Sequence, residues 1–219
     1  MEKRIWFFDT NVLVNWVLGS GGLLKQLCDS FDISDNFFDI FYNRYKLSDA
    51  FVESIINSDK STFPKDRFFV SLFALNELFS GIRSEINSIL LFKDRVPLSR
   101  WKDSPPTIPE GYEKFVYDET MKTFDVLFDK ERITIIEDQD LKRAWDQYLP
   151  IYCEILFLNK HIKTQDTTLL VTAILNKADF FITSDKWLIE DVSKSMLTKF
   201  NLSLKSPEEG SEILKNRMS

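Results

Sequence analysis

Four acidic residues fall where the chain pattern changes. Asp9 closes an apolar run, Glu77 comes shortly after a second, Asp166 opens a helical segment, and Asp185 follows a further apolar run. Carboxylates brought together repel one another unless a cation neutralises them. Ligands that are all oxygen suit Mg²⁺ or Mn²⁺. Such an ion activates water and takes up charge on a phosphodiester. Each acid also has a plainer role open to it. Asp9, Asp166 and Asp185 can cap the helices that follow them, and Glu77 can lie on a solvated helix face. Capping and metal binding are compatible, since both need an acid at the end of an element. Glu77, Gly81 and Ser84 stand at helical spacing, and small residues beside an acid would let a substrate backbone approach.

Composition removes several other chemistries. The chain has one histidine, His161, and two cysteines, Cys28 and Cys153. A ribonuclease with a histidine pair is excluded, and so is a zinc site of several histidines. Gly19, Gly21 and Gly22 form a Gly-Ser-Gly-Gly turn without the Gly-Lys-Ser/Thr ending of a phosphate loop. No Gly-x-Gly-x-x-Gly or Gly-x-Ser-x-Gly occurs. Two distant cysteines make no disulfide framework, so free thiols in a reducing, cytoplasmic compartment are expected. The N-terminal apolar run is cut short by Asp9, which argues against a signal peptide. No apolar run reaches the roughly 18 residues of a membrane helix.

The elements that must position the acids follow from periodicity. With 219 residues, 44% of them apolar, the chain has the size of one domain with a sizeable core. Ile5-Trp6-Phe7-Phe8, Phe68 to Leu72, Ile133 to Ile136 and Phe180 to Thr183 are short continuous apolar runs, the pattern of strands covered on both faces. Phe200 to Leu204 offers a fifth. Between them the apolar spacing predicts helices. One spans Val12 to Leu18 and is stopped by Gly19. Two or three short ones lie in residues 23–63. Others span Leu75 to about Phe92, Tyr112 to Phe128, Leu141 to about Asn159 with Pro150 bending or splitting it, Asp166 to Lys177, and Trp187 to about Met196. Residues 97–111 are proline-rich and predict a loop. Strands alternating with helices give an α/β fold with a parallel sheet. Ligands of such sheets bind outside the carboxyl ends of the strands, where Asp9, Glu77, Asp166 and Asp185 would converge.

These residues carry a resemblance. Phe7-Phe8-Asp9-Thr10-Asn11-Val12-Leu13-Val14 resembles the opening of PIN-domain nucleases. Asn76-Glu77-Leu78-Phe79-Ser80-Gly81 is similar to that family's glutamate helix. Asp166 to Leu175, and Phe181-Ile182-Thr183-Ser184-Asp185-Lys186-Trp187-Leu188, are similar to its third and fourth acidic segments. Leu202 to Glu209 resembles its last strand and terminal helix. The resemblance implies one PIN-like domain over residues 1–219, with a five-stranded parallel sheet and mainly helical or loop insertions at about 19–66 and 93–130. It implies a metal-dependent endoribonuclease in which Asp9, Glu77, Asp166 and Asp185 hold Mg²⁺ or Mn²⁺ and do the catalysis. Thr10, Asn11 and Thr183 would stand beside them or contact substrate. The partners it implies are single-stranded or structured RNA, an inhibitor protein if the chain is toxin-like, and a second copy of the chain, with no membrane. The competing expectation is a PIN-like scaffold that binds protein or RNA without cutting.

Positive charge near the acids is modest. Lys142, Arg143, Lys160, Lys163 and Lys186 flank them in sequence, and His161 lies among them. A net charge of −6 argues against strong non-specific binding of nucleic acid, although bound divalent ions would reverse the sign locally. Trp101 either stacks on a base or anchors its loop. Phe37, Phe38, Phe41 and Tyr45 are expected in the core.

Overall fold

The computed structural model describes residues 3–20, 22–59, 61–101, 103, 108–129, 132–136, 145–192 and 194–218. Strands β1 (Arg4–Phe8), β2 (Asp66–Ser71), β3 (Ile133–Ile136), β4 (Phe180–Ile182) and β5 (Ser203–Lys205) form one sheet in the order β3-β2-β1-β4-β5. Every neighbouring pair is parallel. The central place of β1 follows from its sequence. Trp6, Phe7 and Phe8 are fully buried. Trp6 and Phe8 meet Phe51 and Phe68, while Phe7 stacks on Phe181 at 5.8 Å. Burying each such ring stabilises the fold by about 1.5–3 kcal/mol, and three in a row leave no face for solvent.

Helices fill the connections. After Asp9 come α1 (Thr10–Ser20), α2 (Leu23–Ser30) and α3 (Asp35–Ile56). After β2 come α4 (Leu72–Lys93), α5 (Leu98–Trp101) and α6 (Glu113–Asp129). Helices α7 (Trp145–Leu158) and α8 (Thr164–Leu175) precede β4. Helices α9 (Lys186–Asp191) and α10 (Lys194–Lys199) precede β5, and α11 (Pro207–Met218) follows it. Helix α1 packs against α3 and α4, α3 against α11, and α7 against α8. Among the described residues no helix is long and apolar enough to cross a membrane.

Several element boundaries differ from expectation. Helix α1 runs through Gly19 to Ser20 instead of stopping before it. A Cβ on Gly19 would lie 3.0 Å from Cβ of Asp49, so this glycine serves the close approach of α3. The short helices expected in residues 23–63 are replaced largely by the 22-residue α3, whose Phe51, Val52, Ile55 and Ile56 join the core. Helix α4 starts at Leu72, because buried Ser71 caps it by accepting from the Ala74 N–H at 3.0 Å. Residues 98–101 form a helical turn inside the expected loop. Helix α7 continues through Pro150. The helix expected from Trp187 to about Met196 is two helices, α9 and α10. Gly21, Lys102, Pro105, Pro106 and the expected helical residues 141–144 lie outside the described residues.

Gly81 also has a structural reason. A Cβ there would stand 2.6 Å from Cγ2 of Val14, so the glycine lets α4 lie against α1, and the substrate-approach role expected for it does not hold. Val14 is buried and β-branched, so it cannot swing aside. Gly81→Ala gains about 1 kcal/mol of helix propensity and loses about 1–3 kcal/mol to overpacking. We expect net destabilisation, seen as a lower Tm. In a double-mutant cycle, Val14→Ala should cancel part of the loss. Strictly additive effects would show that the two helices do not meet at this point.

Candidate active site

The strand order reverses direction between β1 and β4, and that crevice at the carboxyl ends is where ligands of open α/β sheets bind. Asp9 and Asp185 follow those two strands. The Asp9 N–H donates to the Ile182 carbonyl at 2.9 Å, which extends the β1–β4 pairing by one residue and turns the carboxylate inward. Asp9 is 4% exposed. Its Oδ2 accepts from Thr183 Oγ1 at 2.6 Å and from Asn11 Nδ2 at 2.6 Å. Thr183 is fully buried, and its Oγ1 also accepts from the Asp185 N–H at 3.0 Å. One hydroxyl thus joins the residues after β1 and β4. Both side-chain donors use Oδ2, so among the described residues Oδ1 is not tied to a side chain.

Asn11 is held in turn. Its Oδ1 accepts from the Ser184 N–H at 2.9 Å and Oγ at 2.8 Å, and its Nδ2 also donates to Thr183 Oγ1 at 3.1 Å. Asn15, one helical turn further along α1, donates to Ser184 Oγ at 3.0 Å and to Ser48 Oγ at 3.2 Å. Asn15, Ser184 and Ser48 were missed by sequence reasoning. The available signal was the pair Asn11 and Asn15 at i, i+4 on an otherwise apolar helix.

The other acids sit around this centre. Glu77 lies in the second turn of α4 rather than the first, because the helix starts earlier than expected. Its Oε2 accepts from Thr10 Oγ1 at 3.2 Å. Asp166 does not open its helix. Lys163 occupies the cap position, and Asp166 stands three residues on, accepting from the Lys163 backbone N–H. That is the returning half of a capping box. Asp185 caps α9, its Oδ1 accepting from the N–H groups of Trp187 at 2.8 Å and Leu188 at 3.3 Å.

Electrostatics tie the four together. Burial pushes the Asp9 carboxyl up to about 7, with Asp166 and Asp185 adding repulsion against the hydrogen bonds from Thr183 and Thr10. Burial raises Glu77, Asp166 repels it, and the Thr10 hydroxyl opposes both. Burial also raises Asp166, with repulsion from Asp185 and relief from Lys163. Oxygen donors that repel one another suit a hard divalent cation. Yet among the described residues no three Asp, Glu, His or Cys side chains stand as a group able to hold a metal ion. The donor chemistry fits the ion, and the side chains would have to draw closer to close on it.

Other residues are placed as follows. A cavity of about 190 Å³ adjoins the acids and is lined in part by Lys160, His161, Lys163, Asp166, Asp185 and Trp187. Trp101 anchors its own loop, donating from Nε1 to the Val96 carbonyl at 2.9 Å. Phe41 and Tyr45 are buried, with Phe37 and Phe38 packed against the core from its edge. Cys28 and Cys153 are both free thiols. Lys142 and Arg143 lie outside the described residues. No family model matches the chain, and no curated protein or solved structure matches it.

A carboxyl raised by folding destabilises the native state once it must ionise. In metal-free buffer the Asp9 contribution is absent below about pH 4 and complete above about pH 7, so stability falls as pH rises between them. Asp9→Asn removes this titration but keeps the bulk. The variant should gain stability relative to wild type progressively across that range, reaching about 4 kcal/mol at its upper end. Paired thermal melts at pH 4 and pH 8 check this. A difference in Tm that does not grow with pH would place the Asp9 charge in a solvated setting.

Proposed function

We propose that this chain is a PIN-like, metal-dependent endoribonuclease. The observation that carries the proposal is the burial of Asp9 at the switch point of the sheet, within electrostatic reach of Asp166 and Asp185. A buried carboxylate repelled by two others is costly. A divalent cation is the simplest partner that relieves all of them. Asp9, Glu77, Asp166 and Asp185 would hold Mg²⁺ or Mn²⁺, which would activate a water and absorb charge on the scissile phosphodiester. In-line attack by water would leave a 5′-phosphate and a 3′-hydroxyl.

The remaining chemistry belongs to the side chains. Thr183 and Asn11 fix the Asp9 carboxylate through Oδ2. Thr10 holds Glu77 toward the same centre. Below about pH 7 Asp9 keeps a proton that a cation must displace, so metal affinity should weaken in acid. RNA partners, a toxin-like inhibitor protein and a homodimer belong to this reading as proposals. The competing reading is a PIN-like scaffold that binds without cutting. It is favoured by the lack of a ready three-residue metal group among the described residues, and by the engagement of Asp185 as a helix cap.

Metal decides between the two. An ion that binds only the folded protein stabilises it by about 2.7 kcal/mol at a concentration 100-fold above Kd, or roughly 5–10 °C in Tm for a chain of this size. We expect a rise of that order with millimolar Mn²⁺ at pH 8, blunted in Glu77→Gln and Asp185→Asn. RNA should be cut only with metal present. Equal melting shifts in wild type and Asp185→Asn would favour the scaffold.

A further inference from the structure

We propose that the cavity beside the acids is a subsite for one unpaired nucleobase of a single-stranded RNA, with Trp187 as its stacking platform and Lys160 and Lys163 beside the neighbouring phosphates. The inference rests on the nuclease reading for the role of Asp166 and Asp185, and on the cavity alone for the ligand. Trp187 is the second residue of α9, lines the cavity and remains 52% exposed. His161 meets it edge to face, with ring centroids 5.4 Å apart. Lys160 and Lys163 line the same cavity, and both are exposed.

Size narrows the ligand. Sites for whole small molecules usually run about 300–1,000 Å³. A cavity of about 190 Å³ suits a single flat group of a larger molecule that lies mostly outside. Aromatic stacking accepts any base, because every base has a π face. The lysines add charge-assisted contacts to phosphate, which position the strand without reading its sequence. Asp166, Asp185 and Asp191 also line the cavity. They would repel a phosphate placed against them, so the base enters here and the phosphates lie toward the lysines. A base inside a duplex is stacked and paired on its neighbours and cannot enter. Because Asp166 and Asp185 form part of the wall, a base held here sets the register of the strand at the proposed cutting centre.

Binding of a labelled RNA octamer to the full chain, measured by fluorescence anisotropy in Ca²⁺ buffer, tests the subsite without relying on cleavage. Trp187→Ala should weaken binding by about 5- to 150-fold, while Trp187→Phe should recover most of it. The Asp185 cap uses the backbone N–H of residue 187, so neither variant removes it. An octamer of abasic residues should bind wild type as weakly as the normal octamer binds Trp187→Ala, and a matched duplex should bind at least as weakly. Equal binding of the RNA octamer by wild type and Trp187→Ala would overturn the subsite and leave the exposed ring to a protein partner. A loss seen only with a DNA octamer would overturn the RNA assignment. Cleavage in Mn²⁺ separates the two proposals. Trp187-dependent binding with no cutting would remove the nuclease and keep the subsite. Cutting with Trp187-independent binding would do the reverse.

Discussion

A carboxylate buried at the end of the central strand is the constraint on which the surrounding structure turns. Ionised and alone, the Asp9 side chain would be costly enough to displace. Two short hydrogen bonds from Thr183 and Asn11 hold it in place. Those donors need support of their own, so Asn11 is pinned by Ser184, and Ser184 by Asn15. A polar network thus extends from the carboxyl end of β1 to that of β4, and through Ser48 to α3. The hydrogen bonds only partly offset the burial, as the raised titration of Asp9 shows.

The sheet determines where this tension sits. With β1 in the centre and the chain crossing to its other side at β4, the first and fourth strands open a crevice at their carboxyl ends. Helix α1 begins one residue after β1, and α4 begins directly after β2, so both first turns lie near that crevice. Helix α8 contributes its first turn, where Asp166 accepts from its own cap residue. Asp185 and Asp166 therefore serve two tasks at once, closing helix ends and adding negative charge beside Asp9.

Much of this layout was legible in the sequence, and the reasons differ by element. The runs at Ile5 to Phe8 and Phe180 to Ile182 announced themselves because a strand covered on both faces is apolar without interruption. The place of Asp9, Glu77, Asp166 and Asp185 near one sheet edge followed from parallel topology. Less legible were the helix ends. Gly19 looked like a stop, yet glycine continues a helix where a neighbour presses close, here Asp49 of α3. Asp166 looked like a cap, but a carboxylate three residues in can accept from the cap N–H and move the start back to Thr164. The exposure of Trp187 was not legible, since α9 is six residues long and exposure of a single ring depends on what packs over it. The network through Asn15 depends on Ser48 and Ser184, which are far apart in the chain and meet only after folding.

The contact of Gly81 with Val14 has a geometric corollary for the acids. Thr10 precedes Val14 by four residues, and Glu77 precedes Gly81 by four. The hydrogen bond between Thr10 and Glu77 therefore lies one helical turn from the point where the two helices touch. The absent side chain at residue 81 works as a spacer of zero thickness. Any atom added there would act as a wedge between α1 and α4, and one turn away the gap would open between a hydroxyl and a carboxylate. The reach of Glu77 toward the other acids is thus gauged by the width of a residue that touches none of them.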